Sequence, residues 1–167
     1  QSVDYAHRGL HNEKYPENSL KAFENAIKHN YGIELDVQLT KDDVVVICHD
    51  FNLKRVCGID KEIDTCTYEE LCQYRLFNTE YTIPTLKSVL ELIDHQVPII
   101  VEIKQKSIDC KTCELTARLL DAYHDNYVVE SFNPLAMHWY MKHRSHVIRG
   151  QLSSDFSKNK EVHPLMA

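Results

Sequence analysis

The sequence predicts an α/β fold in which β-strands alternate with α-helices within a single domain, residues 1–167. Short runs rich in Val and Ile indicate strands, and apolar residues at helical spacing indicate helices. The predicted strands are residues 4–8, 33–39, 44–49, 98–104, 127–132 and 146–151; the predicted helices are 19–30, 67–77, 86–95, 111–124 and 134–143. Two of these strands also place charged side chains opposite their aliphatic face.

The first predicted strand ends at His7, which should therefore lie in the loop that leads into the next helix. Asn18 or Ser19 can cap the start of that helix, and Gly32 stands where its C-terminal stop is expected. The apolar residues with helical spacing are Leu20, Phe23, Ala26 and Ile27.

The second predicted strand alternates between aliphatic and polar residues. Glu34 and Asp36 share one face, because successive side chains of a strand point to opposite sides. The opposite face carries Ile33, Leu35, Val37 and Leu39. A Glu-x-Asp pair alone is more often a solvated edge, but four large aliphatic neighbours favour a buried strand.

A β-hairpin is predicted over residues 33–49, because the segment 40–43 is too short to hold a crossover helix. With a two-residue turn at Asp42 and Asp43, the numbers of paired residues sum to 85, which places His49 opposite Asp36. Direct cross-strand neighbours lie about 4.5–5.5 Å apart at Cβ. The histidine is therefore expected beside the carboxylates.

The strand at residues 98–104 places Glu102 and Lys104 on one face by the same alternation. If the parallel strands form one closed barrel, the charged faces meet near its C-terminal rim, where such barrels carry their chemistry. Glu34, Asp36 and Glu102 would repel one another without a cation, and oxygen ligands favour Mg²⁺ or Ca²⁺ over zinc. For Lys104 the alternative is a salt bridge to Glu102.

An ordered set of short motifs resembles the glycerophosphodiester phosphodiesterases, within the phosphatidylinositol phospholipase C-like phosphodiesterase superfamily. The set spans Tyr5 to about Leu152, and none of its members is specific alone. The matching segments are His7-Arg8-Gly9, Pro16-Glu17-Asn18-Ser19 with Ala22-Phe23, Glu34-Leu35-Asp36-Val37, His49-Asp50, Ile83-Pro84-Thr85-Leu86, Glu102-Ile103-Lys104 and Ser131-Phe132.

The resemblance implies a role for each candidate site residue. His7 and His49 would act as general acid and base, and Arg8 and Lys104 would face the phosphate of the substrate. Glu17 and Asn18 match a motif whose role looks structural. One divalent cation, Mg²⁺ or Ca²⁺, would be held by Glu34, Asp36 and Glu102.

The resemblance also implies a (β/α)8 TIM-type barrel, which typically needs about 250 residues. With 167 residues and about six strands, we expect an incomplete barrel that lacks its C-terminal strands. The family's Trp-Thr strand and its Asp-Tyr-Pro-like turn have no counterpart here. The polar tail at 153–160 and the start at Gln1 also look like a fragment.

The implied activity is metal-dependent hydrolysis of glycerophosphodiesters to glycerol 3-phosphate and an alcohol. The nucleophile is water or the free glycerol hydroxyl, which would give a cyclic phosphate first. One alternative is a phospholipase D-like enzyme of the same superfamily, acting on lysophospholipids or sphingolipids. Another is a non-catalytic binding or regulatory partial barrel.

Composition argues against several other classes of protein. A net charge of −6 disfavours nonspecific nucleic-acid binding, and the hydrophobic fraction of 43% suffices for one core. The sequence has neither an apolar run long enough to cross a bilayer nor a signal-peptide pattern, so a cytoplasmic location is expected, with membrane attachment through segments outside residues 1–167 as the alternative. The six cysteines are interpreted as reduced thiols, although Cys110 and Cys113 have metal or redox spacing. Cys48 is expected in the core.

Overall fold

The computed structural model describes residues 3–106, 108–123 and 126–153. Its strands are β1 (Tyr5–Ala6), β2 (Gly32–Leu39), β3 (Val45–Ile47), β4 (Ile99–Ile103), β5 (Tyr127–Ser131) and β6 (Ile148–Gln151). Its α-helices are α1 (Leu20–Lys28), α2 (Lys54–Cys57), α3 (Tyr68–Leu71), α4 (Leu86–Ile93), α5 (Lys111–Tyr123) and α6 (Pro134–His143). Each predicted strand is therefore present, and the polar tail beyond Ser153 lies outside the described residues.

The six strands form one sheet in the order β1-β2-β4-β5-β6, all parallel, with β3 added antiparallel to β2. Helices connect the parallel strands, as the predicted alternation requires. This arrangement is an incomplete TIM-type barrel, which confirms the predicted fold class. In the described part of the chain, β1 and β6 are the two edges of the sheet.

The hairpin at 33–49 is confirmed, but its predicted register is wrong by one residue. The observed pairs are Val37 with Ile47, Gln38 with Val46 and Leu39 with Val45, so the numbers sum to 84. Three residues form the turn, closed by a hydrogen bond from Thr40 N to Val44 O of 3.0 Å. Asp43 takes a positive φ of 65°, as the last residue of such a three-residue turn commonly does.

Cys48 rather than His49 therefore lies next to Asp36, and its N–H donates to the Asp36 carbonyl at 3.0 Å. Strand β3 ends at Ile47, so His49 follows the strand instead of belonging to it.

Two helix predictions also needed correction. The helix predicted at 67–77 is only α3, followed by a 3₁₀ turn at Leu76–Asn78 in which Phe77 has a φ of 49°. Ser19 caps α1 by accepting from Ala22 N, as predicted, but the helix ends at Lys28 with His29, not Gly32, as its C-cap. Gly32 instead begins β2, where an added Cβ would lie 2.6 Å from the Tyr5 ring.

Two hydrophobic clusters support the sheet. The larger one lies between the outer face of the sheet and helices α1, α4, α5 and α6, and includes Leu35, Val101 and Val129. The smaller one is built by residues 46–83 and contains the buried Cys48 and Leu53. Among the described residues, no helix has the length and apolar character needed to cross a bilayer.

Candidate active site

Carboxylates from three neighbouring strands meet on the inner face of the sheet, opposite the helix-covered core. Glu34, Glu102 and Glu130 each offer an oxygen, and these three oxygens lie within 4.8 Å of one another. The strand register produces this arrangement, because Glu102 pairs with Asp36 on one side and with Glu130 on the other. Glu130 was not among the predicted site residues.

Asp36 lies in the same layer but is surrounded by cationic and amide groups. Its Oδ1 is 3.6 Å from Lys104 Nζ, and its Oδ2 is 3.6 Å from Arg8 Nε. Asn18 Nδ2 donates to Oδ2 at 2.9 Å. The side chain is fully buried, yet Oδ1 has no hydrogen-bond partner within the described chain. Oδ1 is thus a buried acceptor whose ion-pair partner, Lys104 Nζ, lies beyond hydrogen-bond distance.

The loop after β1 brings His7 and Arg8 to these carboxylates. Arg8 N donates to Glu34 Oε2 at 2.9 Å, and His7 Nε2 lies 4.0 Å from the same oxygen. Gly9 allows this tight turn because its φ is +80° and an added Cβ would lie 2.9 Å from the backbone carbon of Ala22. The positive φ and the close approach to Ala22 thus explain the glycine of the His-Arg-Gly motif.

The loop after β3 positions His49. The buried Gln38 donates from Nε2 to the carbonyls of Cys48 at 2.7 Å and Asp50 at 2.8 Å, with His49 O at 3.2 Å. His49 Nδ1 lies 2.7 Å from Asp50 Oδ1. Because an ionised carboxylate can only accept, Nδ1 carries the proton and Nε2 is the ring nitrogen that can exchange one with a substrate.

An ion-pair network extends from the contact between His49 and Asp50. Arg55 bonds both Asp50 and Glu17, and Arg8 Nη1 donates to Glu17 Oε1 at 3.0 Å. None of the sequence motifs contains Arg55, so the sequence did not single it out as a site residue. Asp50 precedes the short helix α2 that carries Arg55, so no helical spacing in the sequence indicates their contact.

Lys104 lies between the carboxylates and an aromatic wall. Its Nζ is 2.7 Å from Glu102 Oε1, so the salt bridge considered as an alternative is present. The same Nζ is 5.8 Å from the centroid of the Phe132 ring. Beside it lies a cleft of about 240 Å³, lined in part by Phe51, Phe132 and Asn133. This cleft offers an apolar surface next to the charged groups.

Burial and repulsion shift the ionisation of several of these groups. Burial, followed by the negative charge of Asp36, raises the pKa of Glu34 to about 7. Burial and the charge of Glu102 also raise the pKa of Glu130. Burial and the Arg8 cation lower the pKa of His7. Excess negative charge is therefore concentrated at the glutamates, where a cation would relieve it.

The donor set fits a hard divalent cation. Glu34, Glu102 and Glu130 supply carboxylate oxygens within reach of one ion, and Asp36 Oδ1 is an unused acceptor in the same layer. Carboxylate oxygens are the ligands that Mg²⁺ and Ca²⁺ prefer. The cluster of three glutamates contains Glu34 and Glu102 of the predicted ligand set and adds Glu130, and the set Glu34, Asp36 and Glu102 stays a prediction.

The sequence of the chain matches a known family along most of its length. The model of the glycerophosphoryl diester phosphodiesterase family matches residues 7–162. The chain belongs to this family. The resemblance inferred from the motifs is therefore confirmed.

Relatives and solved structures of the family agree with this assignment. A glycerophosphodiester phosphodiesterase of Bacillus altitudinis is 39% identical over 110 residues, covering 62% of this chain and 44% of the relative. A lysophospholipase D of Mus musculus is 44% identical over 71 residues, covering 42% of this chain and 21% of the relative.

A phosphodiesterase of Oleispira antarctica, solved with the product sn-glycerol-3-phosphate, superposes with a TM-score of 0.84 at 26% identity. That match covers 92% of this chain and 66% of that structure. The chain thus spans less than half of these two curated family members.

Proposed function

We propose that the protein hydrolyses glycerophosphodiesters to glycerol 3-phosphate and an alcohol, with one bound Mg²⁺ or Ca²⁺ and with His7 and His49 as general acid and base. The observation that supports this most is the carboxylate cluster with a histidine and an arginine beside it. Glu34 accepts from Arg8 N at 2.9 Å and lies 4.0 Å from His7 Nε2. The product complex of the Oleispira antarctica phosphodiesterase supports a small phosphate ester as the ligand class.

In this proposal the carboxylates bind the metal ion, and the metal ion and the nearby cations bind the phosphodiester. When bound, the divalent ion would supply charge stabilisation for the phosphoryl oxygens and neutralise the glutamates. Arg8 and Lys104 are the nearby cations, and both are already held in place by acidic partners, Glu17 and Glu102. Such held groups need little reorganisation when charge develops on phosphorus.

Proton transfer falls to the two histidines. The ring of His7 is largely exposed, but its partial burial and the Arg8 cation lower its pKa, so the ring is neutral near pH 7 and able to accept a proton. His49 is oriented through Nδ1 by Asp50, which leaves Nε2 for the substrate. One ring removes a proton from the nucleophile, and the other protonates the departing alkoxide.

The first test measures hydrolysis by the full-length protein with glycerophosphocholine and added Mg²⁺ or Ca²⁺. Replacing either His7 or His49 by Ala should lower turnover by about 10²–10⁴-fold while sparing metal affinity. Glu102→Gln should instead weaken metal binding in a calorimetric titration, because it removes a charged ligand. Wild-type turnover in both histidine variants would contradict the mechanism. Metal binding without any turnover in the wild type would favour a binding module.

A second candidate is a lysophospholipase D activity. It is favoured by the 44% identity to the mouse lysophospholipase D over 71 residues and by the apolar cleft at Phe51 and Phe132. Lysophosphatidylcholine and glycerophosphocholine share their head group and differ in the acyl chain. A kcat/KM at least as high for the acylated substrate would assign this second activity. A strong preference for glycerophosphocholine would assign the first.

A further inference from the structure

Arg55 connects the loop that carries His49 to the loop that carries Arg8. On one side its Nε donates to Asp50 Oδ2 at 2.6 Å and its Nη2 donates to Asp50 Oδ1 at 2.9 Å. On the other side Nη2 donates to Glu17 Oε1 at 2.7 Å and Nη1 donates to Glu17 Oε2 at 3.1 Å. One guanidinium thus forms paired hydrogen bonds with two carboxylates.

Each of these carboxylates contacts a candidate site residue through an oxygen that Arg55 also holds. Asp50 Oδ1 is the atom 2.7 Å from His49 Nδ1. Glu17 Oε1 is the atom that accepts from Arg8 Nη1 at 3.0 Å. The contacts therefore form a continuous chain from the proton-transferring imidazole, through Arg55, to the phosphate-facing guanidinium.

We propose that Arg55 is a positioning residue, which fixes Asp50 against His49 Nδ1 and Glu17 against Arg8. The proposal deepens the proposed function and rests on it for the roles of His49 and Arg8. The Arg55 hydrogen bonds lower the pKa of Asp50 to about 2, so this carboxylate stays charged and accepting throughout the neutral range. Burial raises the pKa of Glu17, but the hydrogen bonds and charge of Arg55 bring it below its ordinary value.

A planar guanidinium is required for this role. Its fork geometry matches a carboxylate on each side, whereas the ammonium of a lysine is a single point of charge on a flexible stem. An exposed ion pair that only adds stability contributes little to folding and has no direct effect on kcat. The two interpretations of Arg55, positioning and stability alone, therefore predict different effects on catalysis.

The test compares Arg55→Ala and Arg55→Lys with the wild type in the full-length protein. Outer partners that orient metal-ligating histidines typically contribute about 10–100-fold to activity, and by the same reasoning we expect Arg55→Ala to lower kcat by about 10–100-fold. Lysine should restore only part of it. The Arg55 side chain is 44% exposed, so guanidinium ions in solution can enter the vacated position and should raise kcat of Arg55→Ala.

Arg144→Ala is the matched control. Arg144 also binds a carboxylate in a paired manner, donating from Nε to Asp121 Oδ1 at 3.0 Å and from Nη2 to Asp121 Oδ2 at 2.6 Å, and its side chain is 28% exposed. It joins α6 to α5 and does not contact the candidate site. We expect this variant to lose stability and keep the wild-type kcat.

Nitrogen NMR of His49 gives a readout that does not require activity. In the wild type the ring should be protonated at Nδ1, and Arg55→Ala should mix the two tautomers because Asp50 is released. Wild-type kcat in Arg55→Ala, an unchanged His49 tautomer, or an equal kcat loss in Arg144→Ala would each overturn the proposal. A wild-type protein without hydrolase activity would remove the proposed function, and the tautomer would still decide whether Arg55 positions His49.

Discussion

Glu34 and Asp36 are two positions apart on one strand, yet their surroundings differ in charge. Asp36 has Arg8, Lys104 and Asn18 within 3.6 Å. Glu34 accepts one backbone N–H, with His7 Nε2 4.0 Å away, and burial followed by the charge of Asp36 raises its pKa to about 7. Glu34 therefore carries negative charge that no nearby cation among the described residues neutralises when it ionises. This residue should make the stability of the protein depend on pH and on bound metal.

Raising pH should destabilise the metal-free protein through Glu34. Its folded pKa of about 7 exceeds the ordinary 4.5, so the folded state holds the proton more tightly and stability falls as pH rises from about 4.5 to 7. A shift of this size corresponds to about 3 kcal/mol at most. The free energy of unfolding, measured by denaturant with a chelator present, should show this fall.

Glu34→Gln separates this effect from the other titrating groups. The amide cannot ionise, so the wild-type fall across this pH range should be largely absent in the variant. His7 acts in the opposite direction, because its pKa is lowered and its contribution rises with pH. Adding Mg²⁺ or Ca²⁺ should restore wild-type stability at pH 7. An identical pH profile in both proteins would show that Glu34 is not the group responsible.

Sequence alternation could predict which residues share a face but not which strands become neighbours. Glu34, Asp36 and Glu102 were found because each lies opposite aliphatic residues in its own strand. Glu130 was missed because β5 reads Tyr-Val-Val-Glu-Ser, where no alternation marks the carboxylate. Its place beside Glu102 follows only from the β4–β5 register, which depends on tertiary packing.

At the scale of elements, the predictions of the hairpin register and of the helix at 67–77 were wrong because turn length and local packing decided the structure there. The hairpin register depended on the turn length, and Thr40 and Val44 close a three-residue turn in place of the expected two. The predicted helix at 67–77 is interrupted because Leu71, Leu76 and Ile83 all pack into the smaller cluster around Leu53. Long periodic helices such as α5 and α6 were predicted to within one residue.

Gly9→Ala should disrupt the contact between the β1 loop and α1. An added Cβ would lie 2.9 Å from both the Ala22 carbonyl carbon and the Phe23 ring, and the φ of +80° is unfavourable for alanine. Overpacking and backbone strain together should cost roughly 2–4 kcal/mol of unfolding free energy. Because Arg8 is the adjacent residue, hydrolysis should fall as well.

Gly58→Ala is the control for backbone strain alone. Its φ is +74°, but an added Cβ meets nothing within 4 Å. Only the strain of about 1–2 kcal/mol should be observed by denaturant unfolding, without a change in kcat. Equal losses of stability in the two variants would show that the contact with α1 does not matter.

At the scale of the whole molecule, the described sheet leaves two strand edges open. Strands β1 and β6 each have one neighbour in the portion that the structure describes. Half-buried apolar residues of the inner face, Ile100 and Val128, lie between these edges. The fold class and the inner charged face could be predicted from strand alternation, whereas closure of the barrel depends on pairing that alternation within each strand does not encode.

The chain of residues 1–167 should associate through β6, which lies at an edge of the described sheet. Open strand edges with exposed apolar side chains pair with other chains, and Ile148 on β6 is 71% exposed. Ile148→Lys should raise the monomer fraction in light scattering, because a charge at an edge opposes strand addition. Ile108→Lys is the matched control, since Ile108 is 83% exposed but lies outside the strands, and it should leave association unchanged. A wild-type segment that stays monomeric and unfolds cooperatively would show that the β6 edge does not drive association.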